Sequence, residues 1–94
     1  MFEEFYKDES IVILVEWVDG LPYIHHHFYA WSVSIHKKST IEFNKLIAYL
    51  QNKGHKELWS YYDKVNTNVD KFYIHYGFTK VGETETQNIV LKEI

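Results

Sequence analysis

Residues Asn66–Phe78 read NTNVDKFYIHYGF, and the architecture can be worked out from this stretch in both directions. Val69, Phe72, Tyr73 and Tyr76 fall at i, i+3, i+4 and i+7, the spacing that gathers side chains onto one face of a helix. Asn66 or Asn68 supplies a side-chain oxygen to cap its start. Gly77 stands where a helix ends in a left-handed residue, and Phe78–Val81 resumes as a strand. Beyond it, Asn88–Glu93 reads as a last strand across the turn-like Gly82-Glu83-Thr84-Glu85.

Upstream, Glu57–Tyr62 (ELWSYY) has the composition of a strand. Before it, Ser39-x-x-Glu42 fits a capping box, Phe43, Leu46, Ile47 and Leu50 form an apolar stripe, and Lys53-Gly54 closes a helix. Ile11–Val18 (IVILVEWV) is β-branched and almost continuously apolar, as suits a strand buried on both faces. Asp19-Gly20 then signals a hairpin, with Pro22 just after it. Tyr23–Ile35 reads as a second extended segment with Tyr23, His25, His27, Tyr29, Trp31, Val33 and Ile35 on one face. At ~3.3 Å per residue it would span ~43 Å, too long for a small domain, so a bend, bulge or break is expected within it. Phe2, Phe5 and Tyr6 within Met1–Lys7 are spaced for one or two helical turns. The resulting order is β-β-α-β-α-β-β. The strand–helix–strand unit from Trp31 to Tyr62 needs a right-handed crossover, which makes its two strands parallel. The expected fold is therefore α/β (α+β), a mixed and mostly antiparallel sheet with one parallel β-α-β unit and helices packed on it.

Length and composition bound the function. The chain has 94 residues, enough for one hydrophobic core, and at 46% hydrophobic and 18% aromatic it is too apolar for disorder. The net charge is −3, and all 10 of its basic residues other than histidine are lysine. A basic excess and arginine forks are what nucleic-acid recognition usually needs, so no nucleic-acid partner is expected. With no cysteine, disulfides, thiolate-bound zinc and thiol nucleophiles are excluded. No run of apolar residues is long enough to span a membrane, and the acidic start MFEEFYKDES is unlike a secretory signal. A cytoplasmic domain without membrane association is expected.

Asn66–Phe78 also resembles the last helix of the GCN5-related N-acetyltransferases (the GNAT superfamily), whose pattern is roughly N-x-x-A-x-x-F-Y-x-x-x-G-F. Asn66, Phe72, Tyr73, Gly77 and Phe78 match in register, with Val69 in place of the small residue. The upstream helix, its Lys53-Gly54 end and the strand to Tyr62 lie at the family's usual spacing, so the resemblance covers about residues 33–81. It implies a truncated GNAT-like domain over 1–94, similar to short chains of this kind encoded by phages. Two departures stand out. The family begins with a further strand and one or two helices that cover the acceptor site, and only about 10 residues precede the first strand expected here. Its pyrophosphate loop is R/Q-x-x-G-x-G/A, whereas Ile35-His36-Lys37-Lys38-Ser39-Thr40 has no glycine to let backbone amides close on phosphate.

The resemblance implies acetyl-CoA as cofactor and an amine substrate. His36, Lys37, Lys38, Ser39 and Thr40, at an expected helix start with free amides, become candidates for holding the cofactor's phosphates, or else a solvated loop and a cap. Asn66 is the remaining cofactor candidate, or simply a cap. N-acetyl transfer needs a deprotonated amine, donors for an oxyanion, and a proton or hydrogen bond for the departing thiolate. By its match to the family's FY pair, Tyr73 is the candidate general acid. Its place on an apolar stripe is equally explained by core packing. Glu16, a carboxylate inside an apolar strand, is a candidate base if burial raises its pKa, or a solvent-facing edge residue.

His25-His26-His27 suggests metal binding, but alternation puts only His25 and His27 on one face, and no metal site is expected. Trp17, Trp31, Trp59 and eight tyrosines are favoured interface anchors. The alternative function is therefore a catalytically inactive GNAT-fold protein that acts through a protein partner, including a homodimer.

Overall fold

The computed structural model describes residues Met1–Ile94. Its elements are β1 (Phe2–Lys7), β2 (Ile11–Val18), β3 (Leu21–Phe28), α1 (Val33–Asn52), β4 (Glu57–Asp63), α2 (Thr67–His75), β5 (Thr79–Glu83) and β6 (Gln87–Glu93). They build one six-stranded sheet in the order β1-β2-β3-β4-β6-β5. Every neighbouring pair is antiparallel except β3 and β4, the two strands joined through α1. The expected class, a mixed and mostly antiparallel sheet with one parallel β-α-β unit, is what forms.

The order has one more strand than the sequence predicts, because Phe2–Lys7 is a strand and not helical turns. The register of β1 against β2 shifts between Glu4 and Tyr6. That bulge lets Phe5 and Tyr6, though adjacent, both pack against the core. Phe2 goes to the other face, beside the His25 ring. A bulged strand therefore imitates the i, i+3, i+4 spacing of a helix.

The second correction concerns Tyr23–Ile35. The expected break is real, but it separates a strand from a helix: β3 stops at Phe28 and α1 starts at Val33. Ser32 is the cap, its hydroxyl accepting from the Ile35 N–H at 3.2 Å. Ser39 is thus not an N-cap but a fully buried residue in the second turn. Elsewhere the local signals hold. Asp19 (φ 52°) and Gly20 (φ 79°) turn the β2–β3 hairpin in the left-handed region. The Asn66 side chain caps α2 by accepting from Val69 N–H at 3.3 Å, and Gly77 (φ 86°) follows it.

Both helices lie on one face of the sheet. Phe43, Leu46 and Leu50 of α1 and Tyr73 of α2 share a core with Ile13, Val15, Ile24, Leu58, Tyr62, Phe78 and Val90. The alternate residues, among them Leu14, Glu16, Tyr23, His25, Trp59, Tyr61, Ile89 and Leu91, line the opposite face, and all are half-buried. No helix packs there.

Candidate functional site

The site begins with a defect in the sheet. β3 and β4 share a single bridge pair, Tyr23 with Trp59, while β2 and β3 stay in register over eight pairs from Ile11↔Phe28 to Val18↔Leu21. One residue past the bridge, the Ile24 carbonyl accepts from two side chains. Ser60 Oγ donates to it at 2.8 Å and Tyr73 Oη at 3.4 Å. Hydroxyls from β4 and α2 have replaced backbone pairing where the strands splay.

Beside this point a cleft of about 570 Å³ lies between the C-terminal end of β3, the start of α1 and α2, with no β4 side chain in its lining. Its walls are His26 and Phe28 of β3, Trp31 of the following loop, His36 of α1, and α2 from Asn68 to His75. A splay between parallel strands, at their C-terminal ends and beside helix starts, is a common place for ligands in α/β proteins. The lining contains Lys71 and three histidines but no carboxylate, although the chain as a whole carries net charge −3. The arrangement suits a ligand with an apolar, partly planar body and an anionic end.

Of the residues singled out from sequence, Tyr73 and His36 line the cleft. Tyr73 is 4% exposed. Burial pushes its phenol up to about 12, although the Ser60 side chain and the His26 backbone hold it partly down. It therefore keeps its proton at neutral pH and acts as a hydrogen-bond donor. Its raised pKa disfavours full proton transfer to a thiolate, whose ordinary pKa is lower, ~8.5. The aromatic stripe itself is core. Tyr62 stacks on Tyr73 with ring centroids 5.5 Å apart, and Tyr76 lies 4.7 Å from Phe43.

The expected phosphate loop does not exist as a loop. Lys37, Lys38, Ser39 and Thr40 lie inside α1, downstream of its first free amides. Lys37 is exposed, and the Lys38 ammonium pairs with Asp8. The Ser39 hydroxyl is buried without a partner. Thr40 gives its proton to the His36 carbonyl at 3.1 Å, so its oxygen accepts from the Tyr76 hydroxyl at 2.7 Å. Asn66 caps α2 and lies outside the cleft lining.

Glu16 is on the opposite face. Its Oε1 accepts from Tyr61 Oη at 2.7 Å and meets His25 Nε2 at 3.0 Å. The Tyr61 hydrogen bond outweighs burial, and with help from His25 it lowers the carboxyl's pKa. The expected upward shift is reversed. His27 shares the His25 face and is exposed, and no group of three or more metal-ligating side chains converges anywhere.

Sequence reasoning missed His26. Strict alternation from Ile24 would have placed it with Phe28 on the helix side of β3. Its ring packs beside Phe72 (4.9 Å between centroids), Phe28 and Tyr76. Both ring nitrogens are buried with no hydrogen-bond partner. Burial drives its pKa down to about 3, so it is neutral. Lys71, one helical turn from His75 on α2, also went unnoticed, and His75 was weighed only as a metal ligand. Their contribution depends on the placement of α2 over the gap.

The architecture matches solved structures, one of them of a GNAT-family acetyltransferase. A GNAT-family acetyltransferase from Listeria monocytogenes superposes with TM-score 0.63 at 15% identity, over 90% of this chain and 58% of that one. A domain from Methanocaldococcus jannaschii gives TM-score 0.64 at 17% identity, over 93% and 69%. The chain thus spans little more than half the length of the Listeria enzyme. At these identities the likeness establishes the GNAT fold. No protein-family model matches the sequence, and no curated protein matches it. No helix is long and apolar enough to cross a membrane.

Proposed function

We propose that this chain is a GNAT-like acyltransferase domain that binds acetyl-CoA in the cleft beside the β3–β4 splay and transfers its acetyl group to an amine. The observation that carries this reading is the single bridge pair between parallel strands, with the Tyr73 helix against the opening. The residues present fit the ligand's chemistry. The gap beside His26, Phe28 and Phe72 takes a slender, largely apolar arm, and the carboxylate-free rim with Lys71, His36 and His75 takes phosphate charge. At the start of α1, the N–H groups of Val33 and Ser34 have no intrahelical acceptor and sit at the positive end of the helix dipole, one turn before His36. His36 of the phosphate-site candidates keeps that role, while Lys37, Lys38, Ser39 and Thr40 lie one turn or more further along.

Acetyl-CoA, when bound, supplies an activated thioester. Tyr73, which holds its proton, would be placed to donate a hydrogen bond to the departing sulfur in exchange for its weak bond to the Ile24 carbonyl. Glu16, held below its ordinary pKa by Tyr61, faces the other side of the sheet, where it would attract the acceptor ammonium; the amine would lose one proton to water before attacking the thioester carbon, and the second N–H proton would leave with the thiolate as free thiol. This chemistry belongs to an intracellular setting, where acetyl-CoA is made. The test is incubation of the protein with acetyl-CoA and a panel of primary amines, followed by mass spectrometry. Acetylated amine that disappears in Y73F supports the assignment, and no product from any amine removes it.

A second reading has its own observation. The sheet face opposite the helices presents Tyr23, His25, Trp59 and Tyr61 half-buried and uncovered. A catalytically inactive GNAT-fold protein that docks a protein partner, or a second copy of itself, through aromatic anchors would use such a face. Light scattering on the purified protein separates the readings. A stable dimer, or a partner that co-purifies stoichiometrically, favours docking, and a monodisperse monomer counts against it.

A further inference from the structure

The acyl-CoA reading leaves one buried group without a task, the imidazole of His26. It projects from β3 on the helix side of the sheet, into the wall of the cleft, between Phe28 and Phe72. A neutral imidazole has one N–H to donate and one lone pair to accept with. Neither nitrogen has a protein partner, and both are out of solvent. Polar groups buried in this way are uncommon and costly unless something satisfies them. The neighbouring backbone is already engaged, with the Ile24 carbonyl taken by Ser60 and Tyr73. Side chains closer to the rim, such as Lys71 and His75, are cationic or exposed. Among the cleft's lining residues, His26 is the one whose buried side-chain nitrogens have no hydrogen-bond partner, in surroundings that include Phe28, Phe72 and Tyr73.

We propose that His26 is the side chain that reads a secondary amide in the cleft ligand, with one ring nitrogen hydrogen-bonding to an amide N–H or C=O that passes between β3 and α2. The proposal rests on the acyl-CoA reading, and the amide-bearing pantetheine arm is the group it assigns to this position. An uncharged donor–acceptor in an aromatic wall selects a neutral polar chain. It would disfavour a carboxylate, whose full charge would lose its hydration in the aromatic wall for a single hydrogen bond. His26 is a positioning residue: it fixes how deep the arm slides, and so where the reacting end stops relative to Tyr73.

The experiment is long-range proton–nitrogen NMR of the histidine side chains in the intact chain, titrated separately with acetyl-CoA, pantetheine and adenosine 3′,5′-bisphosphate, which lacks the arm. The expected result is that acetyl-CoA and pantetheine shift the His26 ring nitrogens and the bisphosphate does not. In H26F, which keeps the aromatic packing, pantetheine affinity falls about tenfold while bisphosphate affinity is unchanged. H26Q, which keeps a donor and an acceptor, recovers part of the loss. Saturable binding of acetyl-CoA with His26 unmoved overturns this proposal alone. A His26 response to pantetheine without acetyl-CoA binding supports the amide site and overturns the acyl-CoA reading. No response to any of the three overturns both.

Discussion

The hydroxyl of Tyr73 on α2 lies 3.4 Å from the carbonyl oxygen of Ile24 on β3 and donates to it, one residue beyond the single bridge between β3 and β4. A tyrosine from a helix thus stands where the next strand's backbone would have paired. The helix position, the splay and the cleft meet at that contact.

Ser60 donates to the same oxygen at 2.8 Å, so the two hydroxyls are coupled. S60A or Y73F alone leaves the carbonyl one donor, and each should cost about 1 kcal/mol. The double variant leaves it buried and unpaired, and should cost about 1 kcal/mol more than the sum. Urea unfolding of the four proteins measures the cycle. Strict additivity would mean the two bonds are independent.

Alkaline stability depends on the same phenol. The folded value of Tyr73, about 12, lies above the ordinary tyrosine value of 10.0. Its contribution is therefore complete below pH ~10 and is lost as pH rises toward its folded value, a loss of about 2–3 kcal/mol. Burial and Asp70 also raise Tyr62, which adds to the same decline. Y73F should flatten the fall in melting temperature above pH 10, and an unchanged slope would contradict the burial of this hydroxyl.

The acid side has the opposite sign. Lys38 and Tyr6 hold Asp8 well below the usual carboxylate range, Tyr61 lowers Glu16, and Lys64 lowers Glu83. Each contributes stability above its unfolded pKa that is lost as pH falls through the folded one. E16Q should narrow its melting-temperature gap from the parent between pH 6 and pH 3. A gap that stays constant would show that Glu16 is not held by Tyr61 and His25.

Gly77 ends α2 at φ 86°, and an added Cβ would come 2.8 Å from Lys92 Nζ. The lysine can swing away, so the cost is backbone strain. G77A should lose about 1–2 kcal/mol in urea unfolding, and a neutral effect would mean the chain leaves the helix differently.

Much of this was legible in local chemistry. Asn66, the Val69–Tyr76 stripe and Gly77 specify α2 unaided, because cap, face and stop agree. Asp19-Gly20 needs only its own backbone preferences to turn. What local reading misplaced was decided by tertiary structure. Phe5 and Tyr6 meet the core together through a bulge that depends on β2. Trp31-Ser32-Val33-Ser34-Ile35 alternates like a strand, yet Ser32 caps a helix, and Ser39 inside that helix is buried because it faces the sheet. The parallel pair followed from the crossover, but its single bridge could not, since no residue type encodes a splay. His26 belongs with the splay, because its isolation depends on α2 covering a gap whose width the sequence does not state.

The central claim is that the cleft beside the β3–β4 splay receives acyl-CoA, and calorimetric titration of the protein with acetyl-CoA tests it most directly. The account predicts saturable heat with one site per chain, competed by desulfo-CoA and weakened in H26F. Absence of heat at millimolar ligand, with no change in melting temperature, would contradict it.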